Sequence, residues 1–184
     1  MTGLAITPGA SQADIDAALA AHDREFSEYG GGYIDYTDND YVAGTTVAMT
    51  AGVPWQVTRD LSASAANSRL NRPFADWQPW DNTAKLVKPR ALYDVLINSS
   101  DIRVVPDKVG GVLRVSFMAG AVELGGKNMA ITSQPGVEEK IRVDFIFPVR
   151  NSFLTNGARI MLMASVPMTL VEFSPEFYPM GYEA

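Results

Sequence analysis

The sequence predicts an all-β domain, an antiparallel β-sandwich that carries a short N-terminal helical arm. Two observations lead to this prediction. From Tyr33 onward, apolar and polar residues alternate with a period of two, and turn-forming residues separate the runs. Before that point, one amphipathic helical stripe ends at the three glycines 30–32. We therefore divide the chain into a leader and helical arm, residues 1–31, and a body, residues 32–184.

The arm is defined by its helical pattern. Ser11 is placed to cap the helix, and the apolar side chains of Ile15, Leu19 and Phe26 fall on one stripe. We predict that these three apolar residues form a partner interface. The stripe can pack on its own domain, dock on a neighbouring protein or bundle with copies of itself, and the sequence leaves these alternatives open.

The body shows strand patterns and no convincing helix. The cleanest strand places Ile141, Val143, Phe145 and Phe147 on one face, and the polar side chains of the same run lie on the other. We expect about eight or nine short strands, as in a sandwich or barrel. The polar triplet 98–100 is expected to close one of them.

A long segment, residues 62–82, interrupts the strand pattern and is rich in aromatic residues. Phe74, Trp77 and Trp80 lie within it. They can cap one open end of the sandwich or form an interface between subunits. Alternatively, they form an exposed platform for a ligand such as a sugar, because rigid aromatic rings suit both uses.

The C-terminal residues 174–182 are apolar and aromatic and contain two prolines. Because proline cannot donate to a strand ladder, we expect an extended tail and no regular strand. Such a tail requires a surface to lie on. We predict that Phe177 and Tyr178 make this contact, either with the chain's own body or with a neighbouring subunit.

Charge and cysteine content exclude several classes of function. The formal net charge is -6, which disfavours a nucleic-acid partner. The absence of cysteine excludes disulfides and thiolate metal sites. No apolar run is long enough to span a membrane, so we expect no membrane partner. The acidic group Asp35, Asp38 and Asp40 lacks the spacing of a calcium loop and is expected to be a solvated, turn-forming segment.

Catalytic motifs are missing from the sequence. The nucleophile elbow G-x-S-x-G does not occur, and the one histidine, His22, lies on the arm helix. We therefore predict a protein that is not an enzyme, with no catalytic residue, no metal and no cofactor.

Four short segments carry a resemblance to a known group of proteins. These are Tyr-Ile-Asp-Tyr at 33–36, Trp-Asp at 80–81, Asp-Ile-Arg-Val at 101–104 and Arg-Val-Asp-Phe at 142–145. Over roughly residues 32–173 the chain resembles the jelly-roll virion proteins of tailed bacteriophages, of the capsid decoration or head- and tail-fibre type. The resemblance implies a jelly-roll fold and a trimer, and it supplies no catalytic residues.

The resemblance also implies a function. It indicates a structural virion protein, made in the host cytoplasm, that binds itself as a homotrimer and binds the major capsid protein or other virion proteins. The arm would dock it on the particle. The alternative is a tail-associated receptor- or carbohydrate-binding module, in which the aromatic segment binds a glycan.

Overall fold

The structure, a computed structural model, describes residues 11, 32–64, 69–70, 74, 76–92 and 94–180. The elements of these ranges are β1 (Gly32–Asp38), α1 (Asn39–Val42), β2 (Val47–Met49), β3 (Trp55–Gln56), β4 (Leu61–Ala63), β5 (Arg69–Leu70), β6 (Trp80–Asp81), β7 (Leu86–Val87), β8 (Val95–Pro106), β9 (Val112–Ala119), β10 (Val122–Ala130), β11 (Glu139–Pro148), α2 (Asn151–Asn156), β12 (Arg159–Ala164) and β13 (Met168–Met180). Within these ranges neither helix has the length and apolar character to cross a membrane.

Two antiparallel sheets make the sandwich. The larger has the order β11-β8-β13-β1-β4, with β2 paired to β13 and β5 paired to β1, and the smaller has the order β10-β9-β12-β3. A separate two-stranded ribbon pairs β6 with β7.

The pairing of the eight principal strands is that of a jelly roll. Counted in chain order, these are β1, β3, β8, β9, β10, β11, β12 and β13. The first pairs with the last, the second with the seventh, the third with the sixth and the fourth with the fifth. One long hairpin rolled across two sheets gives this pattern. The predicted all-β sandwich is therefore confirmed, and its topology is a jelly roll.

A single apolar core lies between the sheets. Phe117 of β9 packs against Phe145 and Phe147 of β11, with ring centroids 4.9 and 4.7 Å apart. All three side chains are buried. Along β9 and β11, the apolar residues that alternate in the sequence are the ones whose side chains are buried in the structure. Burying each such ring contributes about 1.5–3 kcal/mol, so this cluster holds the two layers together.

The polar triplet 98–100 does not end a strand, contrary to our expectation, because β8 runs through it. The inward side chains satisfy each other: Ser100 donates its hydroxyl to Asn98 Oδ1 (3.0 Å), and the Asn98 amide donates to the Glu176 carbonyl (3.2 Å). Ser99 points outward and donates to Asp144 (2.5 Å). Paired in this way, polar side chains can be buried in a central strand.

The expected C-terminal tail is wrong, because residues 168–180 form the longest strand of the described chain. This strand, β13, lies between β8 and β1 at the centre of the larger sheet. Its prolines, Pro175 and Pro179, are both buried and face the core together with Phe173 and Phe177. The twelve register pairs with β8 continue past both prolines. The rings of the two prolines contribute to the apolar core, and the pairing of the neighbouring residues with β8 holds β13 in the sheet.

Two short helices also depart from the expectation of no helix in the body. Asp38 caps α1 by accepting a hydrogen bond from the Tyr41 amide (3.1 Å). In α2 the apolar side chain of Phe153 enters the core, and Gly157, with φ of 65°, ends the helix. At four and six residues, these helices are too short to show a helical period in the sequence.

A buried ion pair joins β1 to β13 at the point where β13 bulges. Arg59 donates its Nε to Asp38 Oδ2 (2.8 Å), and its two terminal nitrogens donate to the carbonyls of Thr45 and Val171 (3.0 Å each). The ladder between β8 and β13 shifts register at Val171, so Arg59 satisfies the carbonyl of the bulged residue. Asp38 also accepts from the Phe173 amide (2.8 Å). The pair thus ties the end of β1 to β13 and to the segment before β2.

Candidate assembly surface

The solvent-facing side of β11, β8, β13 and β1 is a broad sheet face, which we call the outer face. Because side chains alternate along each strand, every second residue of these four strands points to it. Its side chains are Lys140, Arg142, Asp144 and Ile146 on β11; Ile97, Ser99, Asp101 and Arg103 on β8; Glu172, Ser174, Glu176 and Tyr178 on β13; and Tyr33, Asp35 and Thr37 on β1.

An apolar row crosses the outer face near one end. Ile146 pairs in register with Ile97, which in turn pairs with Tyr178. The Tyr33 ring continues the row on β1, with its centroid 5.8 Å from that of Tyr178. Ile146 is 70% exposed, although it lies within a strand and beside charged side chains. The row therefore presents apolar and aromatic surface to solvent on a rigid sheet.

An ion-pair network fills the middle of the outer face. Arg142 of β11 donates to Glu176 Oε2 of β13 at 2.8 Å, across the intervening strand β8, and lies 3.7 Å from Asp101 and 3.9 Å from Asp144. Lys140 pairs with Asp101 at 2.8 Å. Burial lowers the pKa of Arg142, but the charge and hydrogen bond of Glu176, together with the charges of Asp101 and Tyr178, leave that pKa raised. The network fixes these side chains against the sheet.

Arg103 organises the far end of the outer face. It pairs with Glu138 at 2.9 Å and with Glu172 at 2.5 Å. Its guanidinium carbon lies 5.7 Å from the centroid of the Tyr41 ring. The hydrogen bond to Glu138, followed by the charge of Glu172, raises the pKa of Arg103. The outer face is thus apolar at one end and charged over the rest.

Tyr178 connects the apolar row to the ion pairs. Its hydroxyl donates to Glu176 Oε2 at 2.6 Å. This hydrogen bond, with burial and the charge of Glu176 adding to it, raises the pKa of Tyr178 to about 12. Tyr178 was predicted as a contact residue of the tail, and the structure places it on the outer face. Phe177, the other predicted contact, is a core residue that is 0% exposed.

Two of the three aromatic residues predicted as a cap or platform in the 62–82 segment are buried in the domain. Phe74 is 0% and Trp80 is 4% exposed, so neither presents a ring face to a ligand. The Arg90 guanidinium covers Phe74, at 4.6 Å from the ring centroid. Trp80 donates its indole N–H to Asn82 (3.2 Å). Trp77 is partly exposed and donates its own to the Lys88 carbonyl (3.0 Å). A platform of all three rings is therefore wrong for this chain, and the two buried rings act as core.

Two further sequence expectations concern the acidic group 35–40 and the helical arm. The solvated acidic loop is wrong at Asp38, which is buried in the ion pair with Arg59. In the described part of the chain, no group of three or more potential metal-ligating side chains is assembled. The arm residues Ile15, Leu19 and Phe26 lie outside the described residues, so their interface stays a prediction.

Ile146 is the residue of the outer face that the sequence reading missed. Its signal was present, because an isoleucine at 146 falls on the same strand face as Arg142 and Asp144. A single apolar side chain on a charged strand face carries little information, and it is the row with Ile97 and Tyr178 that makes an apolar patch. The pairing of Arg142 with Glu176 could not be read locally, since 34 residues separate them.

Comparison with known proteins finds similarity to solved structures in fold and no match to a family or curated sequence. No family model and no curated protein sequence matches it. Among solved structures, the Eiger TNF of S. frugiperda is 10% identical, with a TM-score of 0.48, over 84% of this chain and 96% of that one. The PRD1 vertex protein P5 is 10% identical, with a TM-score of 0.47, over 83% and 74%. A carbohydrate-binding module of the Cellvibrio mixtus lichenase 5A, in complex with cellotriose, is 14% identical, with a TM-score of 0.33, over 84% and 99%.

Proposed function

We propose that the protein is a non-enzymatic structural component of a virion, of the capsid decoration or head-fibre type of tailed phages. It assembles as a homotrimer, and its N-terminal arm docks it on the capsid or another virion protein. The observation that carries the proposal is a jelly-roll body whose outer face combines exposed apolar side chains with fixed ion pairs. Exposed apolar and aromatic side chains bordered by polar ones mark places where proteins bind other molecules.

The resemblance to phage virion proteins gains support from the placement of its motifs. The segments 101–104 and 142–145 lie on the adjacent strands β8 and β11, where Asp101 and Arg142 are register partners. The segment 33–36 lies on β1 of the same sheet. Three of the four motifs thus lie on one sheet and contribute side chains to its outer face.

The polar groups in the interior support a structural role. The buried pair of Asp38 and Arg59 is bonded to backbone groups on several sides, and its side chains are 0% and 1% exposed. Such a pair cannot contact a substrate. The glycan-binding alternative retains only Trp77 of its three platform rings, so we do not propose it.

The test is the association of the chain with phage particles. Particles produced by the organism that carries the gene are purified on a density gradient, and their proteins are identified by mass spectrometry. The chain should sediment with the particles in a fixed ratio to the major capsid protein. A chain that remains entirely in the soluble fraction contradicts the proposal.

The docking role of the arm is tested with the full chain. Leu19→Asp and Phe26→Asp place a charge on the apolar stripe and should weaken binding to particles that lack the protein. Val122→Asp, at a 53% exposed position of β10, is the control that should leave binding unchanged. Unchanged binding of both arm variants would show that the arm is not the docking element.

A further inference from the structure

The apolar row is one of two apolar levels at the same end of the outer face. One level beyond it, Pro148 pairs in register with Val95, and Val95 pairs with Met180. Pro148 is exposed, Val95 is partly exposed and Met180 is 54% exposed. The row and these three residues form a surface that we call the apolar patch. Contiguous exposed apolar surface marks a place where another segment or molecule binds.

The body begins at the edge of the apolar patch. The strand β1 starts at Gly32, and the next residue, Tyr33, is a member of the row. By the register of β1 with β13, Gly32 is level with Pro179, between the two apolar levels. Residues 1–31 are therefore joined to the body beside the patch.

This connection favours the arm over any partner that is not tethered. A segment joined to its binding surface by a short flexible linker has an effective concentration in the millimolar range. The linker here is the run from the apolar residue Phe26 to Tyr33, which includes the three glycines 30–32. Seven residues reach up to about 23 Å, so the linker is long enough to let Phe26 contact the patch.

The predicted helix has the dimensions of the patch. The row crosses four neighbouring strands, which span about 14 Å at about 4.8 Å per strand spacing. As a helix, the stretch from Ile15 to Phe26 rises about 16 Å, at about 1.5 Å per residue. A helix about 10 Å wide covers both apolar levels, which are about 7 Å apart along the strands. One helix laid along the row therefore reaches from β1 to β11 and covers the patch.

We propose that the arm of the free chain packs on the apolar patch of its own body, through the stripe of Ile15, Leu19 and Phe26. Phe26 lies nearest Tyr33, where the linker ends, and Ile15 lies nearest Ile146 on β11. This inference goes beyond the proposed function, because it concerns contacts within one chain. One apolar stripe cannot contact two surfaces at once, so docking of the arm on a particle requires its release from the patch.

The first test measures the access of trypsin to the arm in the full chain. Arg24 is the only lysine or arginine of residues 1–31, so a cut there reports on the arm. Ile146→Asp places a charge in the patch, and Val137→Asp places one on the loop before β11, at the opposite end of that strand. Both positions are exposed, so both variants should fold. Trypsin should cut the native chain and V137D at Arg24 at the same rate, and I146D at least about tenfold faster.

The second test uses cysteine pairs, because the chain contains no cysteine of its own. A disulfide requires Cα atoms within about 7 Å of each other. Under oxidation I15C/I146C should lose both thiols and remain a single chain on a denaturing, non-reducing gel. The matched control, I15C/V137C, should keep its thiols, because Val137 lies beyond the far end of β11, about 24 Å or more from Ile146.

Any other outcome overturns the inference. Equal trypsin rates in the three proteins would mean that the patch does not hold the arm. A disulfide between chains in I15C/I146C would mean that the arm covers the patch of a neighbouring copy, and the absence of any disulfide would mean that it lies elsewhere. These results are independent of the proposed function, which fails when the chain is absent from particles.

Discussion

Asp38 and Arg59 form an ion pair at 2.8 Å, and the two side chains are 0% and 1% exposed. Arg59 also donates to the carbonyls of Thr45 and Val171, and Asp38 accepts from the Phe173 amide. A buried pair adds little net stability when compared with apolar residues. Removal of one partner is costly, because it leaves the other charge buried and uncompensated. The pair therefore makes the junction of β1 with β13 sensitive to single substitutions.

Asp38→Asn removes the negative charge and retains the size of the side chain. We expect the free energy of unfolding to fall by about 3–5 kcal/mol, because the Arg59 charge stays buried. Asp40→Asn is the control, since Asp40 lies 3.8 Å from Arg59 and its side chain is 33% exposed. It should cost about 1 kcal/mol or less. Urea denaturation measures both, and an equal loss in the two variants would contradict the assigned role.

Ser100→Ala tests the polar pair inside the sandwich. The substitution removes the hydroxyl that donates to Asn98 Oδ1, and Asn98 is 0% exposed. An unsatisfied buried acceptor costs about 1–3 kcal/mol of unfolding free energy. Ser99→Ala is the matched control on the opposite face of β8, where the hydroxyl bonds the exposed Asp144. Ser99 is 4% exposed, but Asp144 is 63% exposed and solvent can replace its lost hydrogen bond, so this substitution should cost about 1 kcal/mol or less. Equal stability of both variants under denaturant would contradict this account.

The sequence predicts the parts of this fold that depend on local pattern. The apolar residues Leu113, Val115 and Phe117 occupy every second position, and they predict which face of β9 is buried because side chains alternate strictly along a strand. The same pattern was present in β13, where Phe173, Pro175, Phe177 and Pro179 alternate with polar residues and Tyr178. The prolines argue against a strand in the sequence, because proline cannot donate to a strand ladder, and this outweighs the alternation in the prediction of a tail.

The features of the fold that the sequence does not predict depend on residues far apart in the chain. Arg59 is satisfied by Asp38, 21 residues away, and by Val171, 112 residues away. Nothing next to Arg59 in the sequence indicates that the side chain is buried. The outer face combines four strands that are far apart in the sequence, so its charge pattern appears only after the strand order is known. The sequence points to single residues of the outer face, such as Tyr178, but it does not show that they lie together on one surface.

Gly32→Ala tests the point at which the body begins. Gly32 has φ of 70°, and a Cβ there would lie 1.9 Å from the Arg69 carbonyl oxygen. Gly44 has nearly the same φ, 74°, with no atom within 4 Å of its Cβ position, so Gly44→Ala is the matched control. The control should cost about 1 kcal/mol for the backbone conformation alone. Gly32→Ala should cost at least about 3 kcal/mol, because strain and overlap add.

Hydrogen exchange distinguishes the two causes of the lost stability in Gly32→Ala, which are backbone strain and overlap with the Arg69 carbonyl. In Gly32→Ala the pairing of β1 with β5 should open, and the amides near Tyr33 and Leu70 should exchange faster than in the native chain. Gly44→Ala should leave these amides protected. If both glycine variants lose the same stability and the β1–β5 amides stay protected, the close approach of Gly32 to Arg69 is not a constraint on the fold.

The raised pKa of Tyr178 predicts that folding stability depends on pH in the alkaline range. Its pKa is raised from 10 to about 12 in the folded chain, chiefly by the hydrogen bond to Glu176. Below pH 10 the hydroxyl is protonated in both states, so its contribution to stability is complete. As the pH rises from 10 to 12, the unfolded chain loses this proton more readily than the folded chain. Folding stability should therefore fall across that window.

Glu176→Gln isolates the cause of this dependence. The substitution removes the carboxylate that accepts the Tyr178 hydrogen bond at 2.6 Å. Tyrosine ionisation, followed by absorbance at 295 nm, should then show one residue titrating closer to the usual tyrosine pKa. Tyr178→Phe supplies the assignment, because it removes the same titration from both backgrounds. If the high-pH titration persists in Glu176→Gln, the raised pKa comes from burial of the ring, and the link between the apolar row and the ion pairs is not the cause.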